Sequence, residues 1–291
     1  MRDYYRVYAN IDLDAIYENV VNAKKLTKPG TKLMAIIKAD AYGHGAVEVA
    51  RTLDDVADAY GVAILEEGIE LRQAGIDKPV LILGYTPKAL YPAMIKHDIA
   101  TAVFTWEMAQ EISQTAEALG RTARIHIKLD TGMSRIGFKQ DDESLETICR
   151  IAKLPNISID GCFTHFARMD ETDKTWALKQ FERYQNFVKR LEEAGVTFPV
   201  KHVSNSAGII EMPQVNLDMV RDGIAVYGSY TGIITFNRYI IPVGRERISG
   251  QSSVYVQTSF VISVRYKVQT ARRYVAVSVR RTRVFRNEPV V

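Results

Sequence analysis

Residues 33–45 read LMAIIKADAYGHG, an apolar strand-like run that ends in one lysine, Lys38, and opens into a glycine-rich turn. A lysine at the end of a buried strand loses hydration of its charged form. We therefore expect its pKa to fall, so that neutral amine becomes available for imine formation. The simpler interpretation is a lysine that leaves the strand for solvent. The other segments of the chain decide between the two.

Short β-branched runs alternate with longer segments of helical period between Thr31 and Tyr227. This alternation is typical of a parallel sheet wrapped by helices. The eight candidate strands are LMAIIK from Leu33, YGVAIL from Tyr60, PVLILG from Pro79, IATAVF from Ile99, RIHIKL from Arg124, SIDGCFT from Ser158, VKHVS from Val200 and MVRDGIAVY from Met219. Eight strands with intervening helices predict an α/β fold, a TIM-type (β/α)8 barrel.

The segments between and after the strands complete the predicted organisation. A helix is expected from Lys174, where large apolar side chains fall along one stripe. After Tyr227 the composition changes to Ser, Thr, Val, Tyr and Arg with little helical period. We therefore predict a barrel domain over residues 10–230 and a smaller, mainly β domain over residues 231–291. Residues 1–9 also look strand-like and are candidates to pack on the β domain.

The composition, 47% apolar and 25% charged, is that of an ordinary globular protein. The opening MRDYYRVYAN lacks the apolar core of a secretory signal, and no run approaches about 18 consecutive apolar residues. We therefore expect a cytoplasmic protein with no membrane contact. Cys149 and Cys162 have no second cysteine pair or His-x-x-His sequence nearby, so neither a metal site nor a disulfide framework is predicted.

The charges are distributed unevenly along the chain. From Arg238 onward, eleven lysines and arginines face only Glu246 and Glu288, so the preceding residues are net acidic although the whole chain carries +4. The tail arginines interleave with valines at strand period, as in YVAVSVRRTRVF. Nucleic-acid binding is one interpretation, but docking of the basic tail on an acidic barrel, in the same chain or a partner, is favoured.

Chemistry in such barrels belongs to the C-terminal ends of the strands, which face a common site. The candidates there are Lys38 and Tyr42 after the first strand, Lys128, Asp130 and Arg135 after the fifth, His165 after the sixth, Ser204, Asn205 and Ser206 after the seventh, and Arg221 to Ile224 in the eighth. The segments SNSAG and RDGI offer hydroxyl, amide and backbone N–H groups. They lie at the two strands where TIM barrels commonly bind phosphate, which makes Asn205, Ser206 and Gly223 phosphate candidates.

A lysine amine opposite a phosphate site suggests a phosphorylated aldehyde cofactor, namely pyridoxal phosphate. Arg221 would then serve the pyridine nitrogen, with His165 against the ring. An arginine there disfavours a fully protonated ring and gives a weaker electron sink than an aspartate would. Each residue also has a structural interpretation, with Arg135 and Asp130 as an ion pair and His165 as a satisfied core histidine. Their matching places on successive strands favour a shared site.

Five blocks of sequence fall at these strand ends. They are KADAYGHG from Lys38, KLDTGMSRIG from Lys128, THFARMDE from Thr164, HVSNSAGI from His202 and MVRDGIAVYG from Met219. Together with ANIDLDAIYENV from Ala9, they resemble the alanine racemase family, the fold type III pyridoxal phosphate enzymes. The resemblance covers Tyr8 to Gly228.

That resemblance implies roles for individual residues. Lys38 would hold the cofactor as a Schiff base, with Arg221 at the ring nitrogen and His165 beside the ring. The implied phosphate ligands are Tyr42, Ser206, Gly223 and Ile224. Arg135 would help to hold the substrate carboxylate, and Lys128 matches a lysine that in some members is carbamylated and pairs with that arginine.

Racemisation removes a proton from one face of the substrate and returns it on the other, so one lysine is not enough. The resemblance implies a tyrosine opposite it, contributed by the β domain of the neighbouring subunit in a homodimer. The tail departs from the family pattern here: VRYKVQTARRYVAVSV, around Val264, keeps Tyr266 without the flanking serine and glycine. Tyr266 is the candidate second base, and the alternative is a strand tyrosine that covers the β-domain core.

The resemblance implies an enzyme that interconverts L-alanine and D-alanine, a small amino-acid substrate, and supplies D-alanine for the cell wall. The divergent tail leaves two other hypotheses open. One is a barrel that binds pyridoxal phosphate for carriage or homeostasis without racemising anything. The other is a cofactor-free aldolase barrel that uses a Schiff-base lysine.

Overall fold

The computed structural model describes residues 10–229 and 278–280. Within these ranges the chain forms the predicted (β/α)8 barrel. A three-residue strand, Asn10–Asp12, precedes the first helix in the sequence and pairs in parallel with Ser278–Arg280. Tyr266 and the rest of the predicted β domain lie outside the described residues, as do residues 1–9, so their predicted arrangement stays a prediction.

Eight parallel strands form the barrel wall, and each coincides with a predicted run. They are β1 (Lys32–Ile36), β2 (Ala59–Val62), β3 (Val80–Ile82), β4 (Ala100–Val103), β5 (Ala123–Lys128), β6 (Ile157–Phe163), β7 (Val200–His202) and β8 (Met219–Asp222). The strands pair in chain order from β1 to β7, and β8 pairs with β1. The Arg221 N–H donates to the Ser204 carbonyl at 3.0 Å. This bond joins β8 to the residues that follow β7, so the barrel is nearly closed.

Helices cover the outside of the barrel. They are α1 (Leu13–Lys25), α2 (Ala46–Thr52), α3 (Leu65–Gln73), α4 (Tyr91–Lys96), α5 (Trp106–Ala118), α6 (Asp142–Ile151), α7 (Thr175–Glu193) and α8 (Ser206–Glu211), with 3-10 turns at Lys88–Leu90, Pro213–Val215 and Ile224–Tyr227. The side chains of Asp12, Thr105 and Asp141 cap α1, α5 and α6, because each accepts the N–H three residues later. These caps fix where the helices begin.

Both faces of the sheet are apolar, as expected for strands covered by helices. One cluster lies between the strands and the helices, where α7 contributes Tyr184, Phe187 and Leu191. A second, smaller cluster lies inside the barrel, with Met34 and Leu81 among its members. A cavity of about 210 Å³ beside it is lined by both of these side chains, so the cluster does not fill the interior completely. Chemistry in such barrels belongs to the C-terminal ends of the strands.

The last strand is shorter than predicted. The segment 219–227 was expected to be extended throughout, but β8 ends at Asp222 and the chain continues as a 3-10 turn. The Gly223 and Ala225 N–H groups donate to the Ser206 hydroxyl instead of to a neighbouring strand. The Tyr227 hydroxyl donates to the Ile36 carbonyl at 2.8 Å and fixes the turn against the end of β1.

Candidate active site

Polar side chains gather at the C-terminal end of the barrel, as predicted. Lys38 follows β1, Lys128 ends β5, His165 follows β6 and Arg221 lies in β8. Burial lowers the pKa of His165 well below its usual value, and the nearby charges of Arg221, Arg135, Lys128 and Lys38 lower it further. His165 is therefore a neutral imidazole surrounded by cations, and the end of the barrel is suited to an anionic ligand.

The backbone after Lys38 has an unusual conformation. Four consecutive residues, Ala39 to Tyr42, adopt left-handed geometry with φ between 51° and 55°. Each such residue costs roughly 1–2 kcal/mol outside glycine, so surrounding contacts must hold the turn. The Ala39 N–H donates to Glu67 Oε1 at 2.6 Å, and the Asp40 carboxylate accepts the Ala46 N–H at 2.7 Å.

Glu67 is a positioning residue that sequence reasoning did not single out. Its second oxygen, Oε2, accepts the Ala63 N–H at 2.7 Å, so one carboxylate joins the turn after Lys38 to the end of β2. The left-handed turn keeps Lys38 half-buried at the strand end and places Tyr42 beside it, with the lysine Nζ 5.8 Å from the Tyr42 ring centroid. Glu67, in helix α3, thus helps to set the position of Lys38.

Replacing Glu67 by glutamine is expected to loosen this turn. An amide offers one acceptor oxygen where the carboxylate offers two, so one of the two N–H groups loses its partner and the free energy of unfolding should fall by about 1 kcal/mol. Urea denaturation of the purified chain measures this loss. Glu66→Gln, at an exposed position on the same helix, is the matched control and should leave the midpoint unchanged. Equal effects of the two substitutions would contradict the role given to Glu67.

Arg221 is held at the centre of the site. It is 3% exposed, and its Nη1 donates to the His202 carbonyl at 3.0 Å and to His202 Nδ1 at 2.8 Å. Its Nη2 donates to the Thr164 carbonyl at 2.7 Å and the Val203 carbonyl at 3.0 Å, and lies 3.4 Å from His165 Nδ1. Burial lowers the pKa of Arg221 to about 10, so it remains charged at neutral pH.

Two histidines continue this network into the barrel. A guanidinium only donates, so Nδ1 of His202 must accept and its proton lies on Nε2. His202 Nε2 then donates to His126 Nδ1 at 3.0 Å. Beneath them the Phe163 ring stacks on His202 at 4.7 Å, with the Arg221 guanidinium 5.3 Å from the ring centroid. Arg221 is therefore fixed in both position and charge.

Lys128 is buried beside this network. It is 2% exposed and donates to the Leu129 carbonyl at 2.6 Å. Burial, and then the charge of Arg221, lower its pKa to about 7, which makes neutral amine abundant near neutral pH. The suggested ion pair of Asp130 with Arg135 is absent from the contacts of the described residues. Asp130 Oδ1 instead accepts three backbone N–H groups, from Gly132 to Ser134, while Arg135 is exposed.

A small recess lies between the ends of β1, β7 and β8. A methyl group built on Gly223 would lie 3.7 Å from Tyr42 Oη and 3.8 Å from Ser206 Oγ, so two hydroxyls face the bare glycine. We call this space the hydroxyl recess. Ile224 follows at its edge, half-buried. Asn205 caps α8 by accepting the Gly208 N–H at 3.0 Å, so its side-chain carbonyl supports the recess through α8.

Most of the chain matches one known protein family. A family model described as alanine racemase, N-terminal domain, matches residues 11–231. The chain belongs to this family. The match covers the whole described barrel and includes every strand that contributes to the site.

Relatives in the alanine racemase family are similar over the same region. The alanine racemase of Methanococcus maripaludis is 46% identical over 249 residues, which cover 85% of this chain and 65% of that protein. The alanine racemase of Clostridium tetani is 47% identical over 225 residues, which cover 77% of this chain and 58% of that protein. The chain spans less than two thirds of the length of either relative.

Solved alanine racemases share the barrel. The Clostridium difficile enzyme in complex with cycloserine matches with a TM-score of 0.80 at 44% identity, over 82% of this chain and 66% of that chain. The Bacillus anthracis enzyme with bound L-Ala-P matches with a TM-score of 0.75 at 32% identity, over 80% of this chain and 60% of that chain.

Among residues 10–229 and 278–280, no group of three or more histidine, cysteine or acidic side chains is placed to bind a metal ion. No helix in these ranges is both long and apolar enough to cross a membrane.

Proposed function

We propose that this member of the alanine racemase family binds pyridoxal phosphate and interconverts L-alanine and D-alanine, supplying D-alanine for the cell wall. The observation that carries the proposal is the position of Tyr42. Its ring lies 5.8 Å from the Lys38 amine, and its hydroxyl borders the hydroxyl recess. One tyrosine thus joins an amine able to trap an aldehyde to a space lined by hydroxyls.

The chemistry of the donors fits a phosphorylated aldehyde. Tyr42 supplies a hydroxyl donor at the recess and Ser206 a second hydroxyl oxygen, and the absence of a side chain on Gly223 lets a phosphate oxygen approach between them. The cations around His165 favour an anion at this end of the barrel. When bound, pyridoxal phosphate would supply an aldehyde carbon that condenses with amines and a conjugated ring that withdraws electrons from the substrate Cα–H bond.

Lys38 would hold that aldehyde carbon through Nζ before substrate arrives. After displacement by the substrate amine, its Nζ would be free to remove or return a proton at the substrate Cα on one face. The opposite face needs a second base. Tyr266 remains the candidate, supplied by the neighbouring subunit of a homodimer, and it lies outside the described residues.

The surrounding cations would set the electronic character of the site. Arg221 would face the ring nitrogen, and a guanidinium that stays charged disfavours protonation of that nitrogen. His165 would lie beside the ring as a neutral imidazole. Arg135 is exposed, so it would be free to hold the substrate carboxylate. Lys128 would be a site of carbamylation, because that reaction needs neutral amine and the pKa of Lys128 is about 7.

The experiment that tests this function uses the purified chain with pyridoxal phosphate. We expect a visible absorbance band, an intact-mass increase that survives borohydride reduction, and formation of D-alanine from L-alanine. The band without D-alanine would favour the carrier hypothesis. Absence of the band together with a borohydride-trapped carbonyl substrate would favour the aldolase hypothesis.

Gly223→Ala tests the hydroxyl recess directly. The fold should tolerate the new methyl group, since its nearest neighbours lie at ordinary contact distances of 3.7–3.9 Å. The methyl group would occupy the space between Tyr42 Oη and Ser206 Oγ. We expect the affinity for pyridoxal phosphate to fall about tenfold or more, equivalent to the loss of one or two hydrogen bonds.

The control for Gly223→Ala is pyridoxal, which lacks the phosphate. Its affinity should not change, because it can still reach Lys38. An equal loss for both aldehydes would show that the substitution acts on Lys38 or on the fold, and would contradict the phosphate assignment.

A further inference from the structure

Asp222 is a buried acid next to the hydroxyl recess to which neither the sequence resemblance nor the proposed reaction gives a role. It is 0% exposed at the end of β8. Its Oδ1 accepts the Ser206 hydroxyl at 2.9 Å, whereas Oδ2 is buried and has no hydrogen-bond partner among residues 10–229 and 278–280. A buried carboxylate with one free oxygen needs an explanation, because unpaired buried charge is unfavourable.

The groups that face Asp222 do not neutralise it. Tyr42 comes from the left-handed turn, Tyr227 from the 3-10 turn and Ser206 from α8, and the charge of Asp222 contributes to raising the pKa of both tyrosines. Arg221 precedes it in β8, and successive strand residues point to opposite faces. Burial raises the pKa of Asp222 to about 7, although the hydrogen bond from Ser206 opposes this.

The Ser206 hydroxyl connects Asp222 to the recess. Its oxygen accepts the Gly223 N–H at 2.9 Å and the Ala225 N–H at 3.3 Å, so its single proton is donated to Asp222. In this arrangement Ser206 has no proton left for a ligand. Because these two N–H groups occupy both lone pairs of Ser206 Oγ, protonation of Asp222 leaves the Ser206 hydroxyl as its donor and removes only the negative charge beside the recess.

We propose that Asp222 takes up a proton when a phosphate group enters the hydroxyl recess, so that phosphate binding at this site is coupled to protonation. The inference rests on the proposed function, since it concerns the phosphate of pyridoxal phosphate. Asp222 would act on the phosphate through its charge, and it borders the recess through the Ser206 hydroxyl that it accepts. Protonation removes a negative charge from beside the phosphate.

The coupling has a definite sign. The bound state holds Asp222 protonated, so the phosphate contribution to affinity is complete below about pH 7 and falls as the pH rises above it. The fall should approach tenfold per pH unit, the limit for one proton. Asparagine is uncharged at every pH and its side-chain oxygen can still accept the Ser206 hydroxyl, so Asp222→Asn should keep the full phosphate contribution at alkaline pH.

The experiment titrates the full chain with pyridoxal phosphate and with pyridoxal between pH 7.5 and 9. Both aldehydes form the same imine with Lys38, so the ratio of their affinities isolates the phosphate. In the wild-type chain this ratio should fall about tenfold per pH unit. It should stay flat in Asp222→Asn. Asp218→Asn, at an exposed position just before the same strand, is the matched control and should behave like the wild type.

Calorimetry of the wild-type chain gives an answer that does not depend on a variant. In two buffers of different ionisation enthalpy, binding of pyridoxal phosphate at pH 8 should take up about one proton more than binding of pyridoxal. A flat affinity ratio in the wild type, or equal proton uptake for the two aldehydes, overturns the inference while leaving the proposed function intact. Failure of both aldehydes to bind overturns the proposed function and this inference with it.

Discussion

Lys38→Ala is expected to abolish the covalent adduct with pyridoxal phosphate and to lower racemisation by about 10³-fold or more, because the same amine holds the aldehyde and moves the proton. The prediction rests on the placement of Lys38, half-buried at the end of β1 and beside Tyr42. Borohydride reduction followed by intact mass measures the adduct. Chiral analysis of the alanine product measures racemisation.

Two lysines provide the comparison. Lys32 lies at the other end of β1 and is exposed, so Lys32→Ala should retain both the adduct and the activity. Lys128 is the competing amine, since burial and Arg221 make it neutral near pH 7. If the adduct survives in Lys38→Ala and disappears in Lys128→Ala, Lys128 at the end of β5 holds the aldehyde. That result would contradict the role proposed for Lys38. Peptide mapping of the reduced adduct separates the two amines.

The barrel was predictable because its strands carry a strong local signal. The first four strands are short, mainly apolar runs bounded by polar segments, and burial makes the signal continuous. The strand ends then follow from topology, because parallel strands present their C-terminal ends on the same side. This is why the sequence predicts Lys38, Arg221 and Ser206 at one end of the barrel.

The features that were missed depend on contacts between distant residues. The left-handed turn of Ala39 to Tyr42 contains no glycine, so local preference opposes it, and Glu67 on another βα unit holds it. The end of β8 was misjudged because its apolar residues continue past Asp222. The hydrogen bonds that redirect the chain come from Ser206 and Tyr227. In both places tertiary hydrogen bonds override the sequence pattern.

The unusual state of Asp222 has the same origin. Its sequence neighbours predict only a polar residue at a strand end, whereas its burial and its bond to Ser206 exist only in the folded barrel. Lys128 differs from Asp222 because the family resemblance already marks it as a candidate site residue. Its low pKa, however, arises from burial and from the charge of Arg221, which is far away in sequence. Residue identity thus indicates which groups take part, and packing decides their protonation.

Arg221→Lys is expected to destabilise the barrel strongly although it keeps the charge. The two guanidinium nitrogens donate to three carbonyl oxygens and to His202 Nδ1, in a planar arrangement that one ammonium cannot reproduce. Two or more buried acceptors would lose their donors, at about 1–3 kcal/mol each, so the free energy of unfolding should fall by about 3 kcal/mol. Urea denaturation of the purified chain measures the change.

The matched control for this substitution is Arg183→Lys. Arg183 is exposed and donates to one carbonyl, that of Thr131, at 3.2 Å, so its replacement should cost at most a few tenths of a kcal/mol. Equal losses for the two arginines would contradict the network assigned to Arg221. A large loss at Arg221 alone would mean that the guanidinium proposed to face the cofactor ring also helps to close the barrel. Since the Arg221 N–H and its guanidinium both bind the chain that follows β7, the site and the fold would then depend on the same residue.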